Sequence, residues 1–275
     1  MIIDAHQHFW RYNPERHGWI TDDMAAIRRD FLPKELEQIY RHNDIDGCVA
    51  VQVDQTESES EYLLAFARMY EFIRGIVGWV DLRAVDIKER LDYYSGEKKM
   101  KGFRHIVQGE SDPNFLLGAD FCRGIGYLSA YSFTYDILVY HHQLVHVEPF
   151  VTRFPNQSFI IDHIAKPAIG KHEIKQWATH MRAIANHQNV YCKLSGMVTE
   201  ADVNNWIYDD IAPYIDVVLE CFGPSRLVYG SDWPVCLVAA SYEEQFGVVQ
   251  KAIDRLSPAE KKQILGENAI RFYHL

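Results

Sequence analysis

The 275-residue chain is predicted to fold as one α/β domain, a single TIM-like (β/α)8 barrel over residues 1–275. Three observations carry that prediction. Eight short apolar, β-branched or aromatic runs recur along the sequence. Helix-like stretches separate most of them, the alternation expected of parallel strands with crossover helices. The length also lies close to the roughly 250 residues usual for a closed barrel of eight such units.

The runs cover residues 1–5, 47–53, 73–82, 101–107, 135–140, 159–163, 190–195 and 226–231. Helices are expected over 37–41, entered through Leu32-Pro33-Lys34-Glu35-Leu36, and over 59–70, 147–154, 173–185 and 242–255. A closing helix over 258–265 and 268–272 would seal the outside. It is announced by Ser257-Pro258-Ala259-Glu260, with Ser at the N-cap, Pro at N1 and Glu at N3. Residues 106–131 show no clear boundaries and read as a long loop with a helix. No linker, repeat or low-complexity tract divides the chain, so one domain is the economical reading.

Composition narrows the function classes. Hydrophobic residues make up 48%, with 14 Phe, 16 Tyr and 6 Trp, enough for a large core. A formal charge of -10 and a pI near 5.7 argue against nucleic acid, whose phosphates need a basic surface. No run of about 18 apolar residues is present, so no membrane span is expected. Met1-Ile2-Ile3-Asp4 lacks the basic and apolar regions of a signal peptide. The five cysteines (Cys48, Cys122, Cys192, Cys221 and Cys236) form no C-x-x-C and read as inert reduced thiols in a cytoplasmic protein.

In a parallel barrel the active site gathers where strands finish. The first run leads into His6 and His8, which are two apart and can share a face. The fourth carries Arg104 and His105, the fifth ends at Tyr140-His141-His142, and the sixth ends at Asp162-His163 with Lys166 beyond. The seventh carries Lys193 and Ser195, and the eighth ends at Asp232-Trp233. Each has a plainer reading: a lone strand-end His is most often solvated or capping. Asp162, next to His163, is expected to face the opposite side as a structural acceptor, and Asp4 is read as a structural partner. His17, His172, His180, His187 and His274 read as surface residues, Lys166 as a solvated cation, and Trp10, Trp79 and Trp233 as core. Taken jointly, His6, His8, His163 and Asp232 at strand ends point to one polar cavity.

A carboxylate beside imidazoles can take a proton from water. The attacked ester or lactone carbonyl then needs donors or a cation for its oxyanion, and His6, His8, Arg104 and His105 are available. No G-x-S-x-G elbow supports an acyl-serine route. Neither a Walker A motif nor a convincing Rossmann fingerprint supports phosphoryl or hydride transfer.

These residues belong to a longer series. It includes Asp4-Ala5-His6-Gln7-His8-Phe9-Trp10, Gly47-Cys48-Val49-Ala50-Val51-Gln52, Lys101-Gly102-Phe103-Arg104-His105, Asp162-His163-Ile164-Ala165-Lys166-Pro167, Lys193-Leu194-Ser195-Gly196 and Tyr229-Gly230-Ser231-Asp232-Trp233-Pro234. In order and spacing the series resembles the amidohydrolase superfamily, specifically its lactonase branch of sugar-lactone and 2-pyrone-4,6-dicarboxylate hydrolases. The resemblance implies a distorted barrel and water attack on a lactone carbonyl. It makes Asp232 the general base, with His163 beside it as a catalytic group. It has His6, His8 and His163 bind water, substrate or a metal. The candidate substrate-binding residues are His6, His8, Arg104, His105, Tyr140 and His141, and the candidate ligands of any bound metal are His6, His8, His163 and Asp232.

Substrate choice follows from charge. Dicarboxylate lactones need cations, and the branch commonly supplies an Arg after the fifth strand, where this chain has Tyr140 followed by His141 and His142. Its loss favours a neutral, hydroxyl-rich sugar lactone of the L-fucono-1,5-lactone or L-rhamnonolactone type, because an unpaired buried carboxylate is costly. One divalent metal is an open point: His141 stands near the fifth-strand position that metal-holding relatives use, and one residue of register inverts its facing. Zn²⁺ matches the imidazole and carboxylate ligands, although the branch includes members able to work without metal. A metal-dependent decarboxylase, a dicarboxylate lactone hydrolase and a non-catalytic sugar-binding barrel stand as alternatives. The sequence does not disclose an oligomeric state.

Overall fold

The computed structural model describes residues 1–275. Eight parallel strands form one sheet in chain order. They are β1 (Ile3–Gln7), β2 (Gly47–Val51), β3 (Ile73–Gly78), β4 (Met100–Ile106), β5 (Thr134–Leu138), β6 (Phe159–Ile161), β7 (Val190–Leu194) and β8 (Leu227–Tyr229). All eight sequence runs become strands, mostly trimmed at the C-terminal end, where the chain turns into the loops that carry polar groups. Helices α1 (Pro33–His42), α2 (Glu57–Met69), α3 (Ile87–Ser95), α4 (Ala119–Leu128), α5 (Val147–Thr152), α6 (Lys175–Ala185), α7 (Tyr208–Phe222) and α8 (Tyr242–Ile253) follow the strands in turn. The unreadable stretch after β4 holds two short 3-10 turns and then α4.

The ring is nearly closed rather than continuous. No ladder joins β8 to β1; the seam is a single parallel bridge between Gln7 and Trp233. Three bonds hold it: His8 N–H to the Trp233 carbonyl (2.7 Å), Asp232 N–H to the His6 carbonyl (2.8 Å), and Ser231 N–H to Asp4 Oδ1 (2.8 Å). Asp4 thus sits outside the barrel as a structural acceptor, and it also receives the Tyr40 hydroxyl at 2.9 Å. Burial pushes its carboxyl up to about 6 against those donors.

Two apolar cores result. One of 69 buried residues lies between strands and helices, so it sets the stability of the shell. The other, only 10 residues, includes Ile3, Val49, Val77, Ile160 and Val228 at the foot of the barrel, together with Phe272 and Tyr273. The last two belong to α10 (Asn268–Tyr273), which follows α9 (Pro258–Lys262) through a π-helical turn. The predicted cap is present, with Ser257 Oγ accepting from Glu260 N–H at 3.3 Å. The closing segment does not lie along the outside as expected; it plugs the barrel from below, with Gly266 packed where a Cβ would meet the Met1 carbonyl at 2.3 Å. No helix is long and apolar enough to cross a membrane.

Candidate active site

The C-terminal ends of the strands open onto a cleft of about 530 Å³, whose lining includes His8, Arg104, Tyr140, His163, Lys166 and Asp232. Asp232 enters it because the chain leaves β8 through a left-handed residue, φ +58°. Its Oδ1 lies 3.3 Å from His8 Nε2 and 3.9 Å from both His6 Nε2 and His163 Nε2. Burial would push this carboxyl up, but the surrounding imidazoles, His163 foremost, and the His8 contact hold it well below the carboxylate range.

His6 and His8 converge as their spacing requires, Nε2 to Nε2 at 3.2 Å. Gly230 makes room for His6, since a Cβ there would stand 2.7 Å from the His6 Cβ. His8 Nδ1 donates to the Val51 carbonyl at 2.7 Å, an assignment fixed by that acceptor, so Nε2 presents a lone pair. His6 Nδ1 faces Asp162 Oδ1 at 3.2 Å, which likewise turns its Nε2 lone pair inward. Burial lowers the pKa of both rings, keeping them neutral.

His163 follows from an unusual backbone. His163, Ile164, Ala165 and Lys166 have φ of +53°, +46°, +60° and +44°, a full left-handed turn. Left-handed geometry costs roughly 1–2 kcal/mol per L-residue and persists only where surroundings enforce it. Trp177 Nε1–H donates to the Ile164 carbonyl at 2.8 Å, His141 Nδ1 bonds the Lys166 carbonyl at 2.9 Å, and Ile164 and Ala165 are fully buried. His163 Nδ1 pairs with Ser195 Oγ at 2.9 Å, and burial lowers the ring to about 4. Gly196 is left-handed here too (φ +60°), and a Cβ on it would strike His163 Nδ1 at 2.5 Å.

Beneath the histidines lies a charge string that the sequence did not disclose. Asp162 does not face away from the site. With β6 ending at Ile161, it points into the barrel, where Lys193 Nζ (2.9 Å) and Arg104 Nη1 (3.0 Å) pair with it. Burial would raise the Asp162 carboxyl, but Lys193, His6 and Arg104 hold it well below its ordinary value. Lys193 reaches Asp136 at 2.5 Å, and the Tyr273 hydroxyl donates to the same oxygen at 2.8 Å. Arg104 lines the cleft yet is committed to Asp162 and the Gln52 carbonyl.

Two expected substrate-binding residues are elsewhere. His105 alternates with Arg104 on the β4 pleat and so faces outward, stacked on Phe115 at 4.5 Å and bonded to Glu110 at 2.6 Å. His141 follows β5 by three positions, does not line the cleft, and spends Nδ1 on the Lys166 carbonyl. His17, read as a surface residue, is buried against Trp10 and Tyr12. The cleft gains Arg16, Trp19, Asp54, Gln108 and Glu200, loop residues with no strand-end position to mark them. Lys166 proves half-buried and paired with Glu200 at 3.4 Å, not simply solvated.

Three acceptor atoms (His6 Nε2, His8 Nε2 and Asp232 Oδ1) therefore converge at 3.2, 3.3 and 3.9 Å. Neutral rings holding these tautomers put lone pairs beside a carboxylate, a donor set that suits a cation; the Arg104 guanidinium already approaches His6 Nε2 at 3.2 Å from one side. Tetrahedral zinc with bonds of 2.0–2.1 Å would space its ligands by about 3.3 Å. The set can bind a divalent metal. Asp162 behind His6 and the Val51 carbonyl behind His8 are the outer partners that such imidazole ligands use.

A barrel of this architecture, with an H-x-H on β1 and an Asp after β8, coincides with one family along its length: the amidohydrolase family model matches residues 3–275. The chain belongs to the amidohydrolase family. It is 39% identical to an L-fucono-1,5-lactonase of Burkholderia multivorans, over 99% of this chain and 96% of the relative. A second L-fucono-1,5-lactonase, from Burkholderia ambifaria, is 34% identical over 99% of this chain and 95% of its own length. A crystal structure of a Burkholderia multivorans amidohydrolase with bound zinc superposes with a TM-score of 0.97 at 39% identity, covering 100% of this chain and 99% of that one.

Proposed function

We propose that this lactonase of the amidohydrolase family opens the ring of a neutral, hydroxyl-rich aldonolactone of the L-fucono-1,5-lactone or L-rhamnonolactone type, with Asp232 as general base. The observation that carries the substrate class is the pairing of every cation lining the cleft: Arg16 with Asp54 (2.7 Å), Arg104 with Asp162 (3.0 Å) and Lys166 with Glu200 (3.4 Å). A dicarboxylate would enter without a free partner, and its burial unpaired is costly. The lactonase names of the two Burkholderia relatives support the reaction class.

Asp232 lines the cleft with Oδ1 turned toward the imidazoles, so one oxygen can be held while the other receives a proton from water. The water oxygen forms a bond to the acyl carbon. His163, with Ser195 on Nδ1, presents Nε2 to the oxyanion or the departing ring oxygen. The acyl–oxygen bond then breaks and the abstracted proton passes to the ring oxygen, leaving a hydroxy acid. His6, His8 and Asp232 would hold a divalent ion, for which Zn²⁺ suits the ligand set, and such an ion supplies Lewis acidity toward water and carbonyl.

The test is a panel of aldonolactones and one pyrone dicarboxylate, assayed by proton release with and without chelator. Hydrolysis of neutral sugar lactones in preference to the dicarboxylate is expected. Asp232→Asn should lower kcat by about 10²–10⁴ with the fold intact. A variant that keeps its rate removes Asp232 as the base. Turnover only of an aromatic acid, with release of CO₂, would establish a decarboxylase instead.

A further inference from the structure

The left-handed turn after β6 does more than present His163. Successive residues of one turn bring positions three apart to the same side, and both His163 and Lys166 line the cleft. Lys166 Nζ stands 3.4 Å from Glu200 Oε1, each side chain 19% exposed. The ammonium also lies 5.4 Å above the centre of the Tyr140 ring. Glu200 comes from another element, the 3-10 turn Val198–Glu200 after β7, whose Thr199 hydroxyl donates to the Gly196 carbonyl at 3.1 Å. Two loops thus converge to build a pair that proton transfer at Asp232 does not use.

We propose that Lys166 and Glu200 form a clamp that reads hydroxyl groups of the substrate ring. This rests on the aldonolactone reading above and deepens it. An ammonium only donates and a carboxylate only accepts, whereas a sugar hydroxyl does both. The single contact between them leaves two N–H groups on Nζ and most of the carboxylate's lone pairs open to the cleft. Neighbouring ring hydroxyls can then accept from Lys166 and donate to Glu200. Because the pair is neutral overall, it offers no attraction to an anionic substrate. A lactone lacking the matched hydroxyls leaves these partly buried charges with poorer partners, so discrimination falls on hydroxylation rather than on ring size.

The test is a substrate-by-variant cycle. The aldonolactone turned over fastest by the wild type and its monodeoxy analogues are assayed with wild type, Glu200→Gln and Lys166→Met. In the wild type, removing a hydroxyl read by the clamp should lower kcat/KM by about ten- to a hundredfold. In either variant that particular penalty should shrink to near unity, while penalties at other positions persist. The two variants lie on different loops, so misfolding of one leaves the other informative. Equal penalties at every position in all three proteins would overturn the clamp while leaving the lactonase reading standing. A wild type inactive on every lactone would overturn both.

Discussion

Lys193 Nζ lies 2.9 Å from Asp162 Oδ1 and 2.5 Å from Asp136 Oδ2, and all three side chains have no solvent exposure. With Arg104 on Asp162, two cations balance two carboxylates at the base of the site. The string borders His6 from below, where Asp162 Oδ1 faces Nδ1 at 3.2 Å. Removing one partner of a buried pair leaves an uncompensated charge, at a cost of about 3–5 kcal/mol. Lys193→Met is therefore expected to lower the unfolding free energy by about that amount in denaturant titrations. Adding Asp136→Asn should recover part of the loss; a single variant as stable as wild type would show that the string bears little on the fold.

His163 ties stability to acidity in a definite direction. Burial holds its folded pKa at about 4, below the 6.5 ordinary for histidine. Between those values the unfolded chain takes up a proton that folded His163 refuses, so its contribution diminishes as pH falls from 6.5 toward 4. His163→Gln lacks this dependence. Relative to wild type, metal-free His163→Gln should gain up to about 3 kcal/mol over that interval. Chemical denaturation at a series of pH values measures the difference, and a constant offset would mean that the ring is protonated as readily folded as unfolded.

Metal affinity follows from the acceptor triangle of His6, His8 and Asp232. One equivalent of Zn²⁺ is expected per chain, measured by equilibrium dialysis and elemental analysis. Saturation at a hundred times the dissociation constant should stabilise the fold by about 2.7 kcal/mol. His8→Asn, which withdraws an Nε2 ligand from the triangle, should abolish stoichiometric uptake. Retention of a full equivalent by the variant would place the ion elsewhere.

Arg16 and Asp54 line both the cleft and a neighbouring hollow of about 300 Å³ that also includes Phe9, Trp10 and Tyr62. No other residue is shared by the two linings, so this ion pair is the partition between them. Arg16 is half exposed, and such surface pairs contribute only about 0.2–1 kcal/mol. Asp54→Ala should leave stability nearly unchanged while raising kcat/KM for lactones with bulky ring substituents. Unchanged relative rates across such substrates would show that the partition does not limit access.

The strands and the three imidazoles around Asp232 were legible because both depend on local pattern. Apolar β-branched runs specify strands, and residues at their C-terminal ends are delivered to one face of a barrel whatever the loops do. Facing was harder to read. The outward turn of His105 follows from the β4 pleat once Arg104 is known to point in, but nothing in the sequence says which of the two does. Asp162, two positions after inward-facing Ile160, keeps the alternation, whereas His163 breaks it because β6 stops at Ile161 and the chain from His163 on adopts left-handed backbone, a choice imposed by Trp177, His141 and burial. Glu200, Arg16 and Asp54 lie on loops, whose approach to the cleft is set by tertiary packing and leaves no periodic trace.

The join between β8 and β1 consists of a few bonds, and two of them belong to the backbone of His8 and Asp232. The geometry of the candidate site is thus coupled to the weakest stave of the ring. Slight parting there would spread the Asp232 carboxylate from its imidazoles while the other seven interfaces stayed shut. Inactivation in mild denaturant should accordingly precede loss of ellipticity, and a ligand spanning His8 and Asp232 should act as a rivet, slowing amide exchange at both.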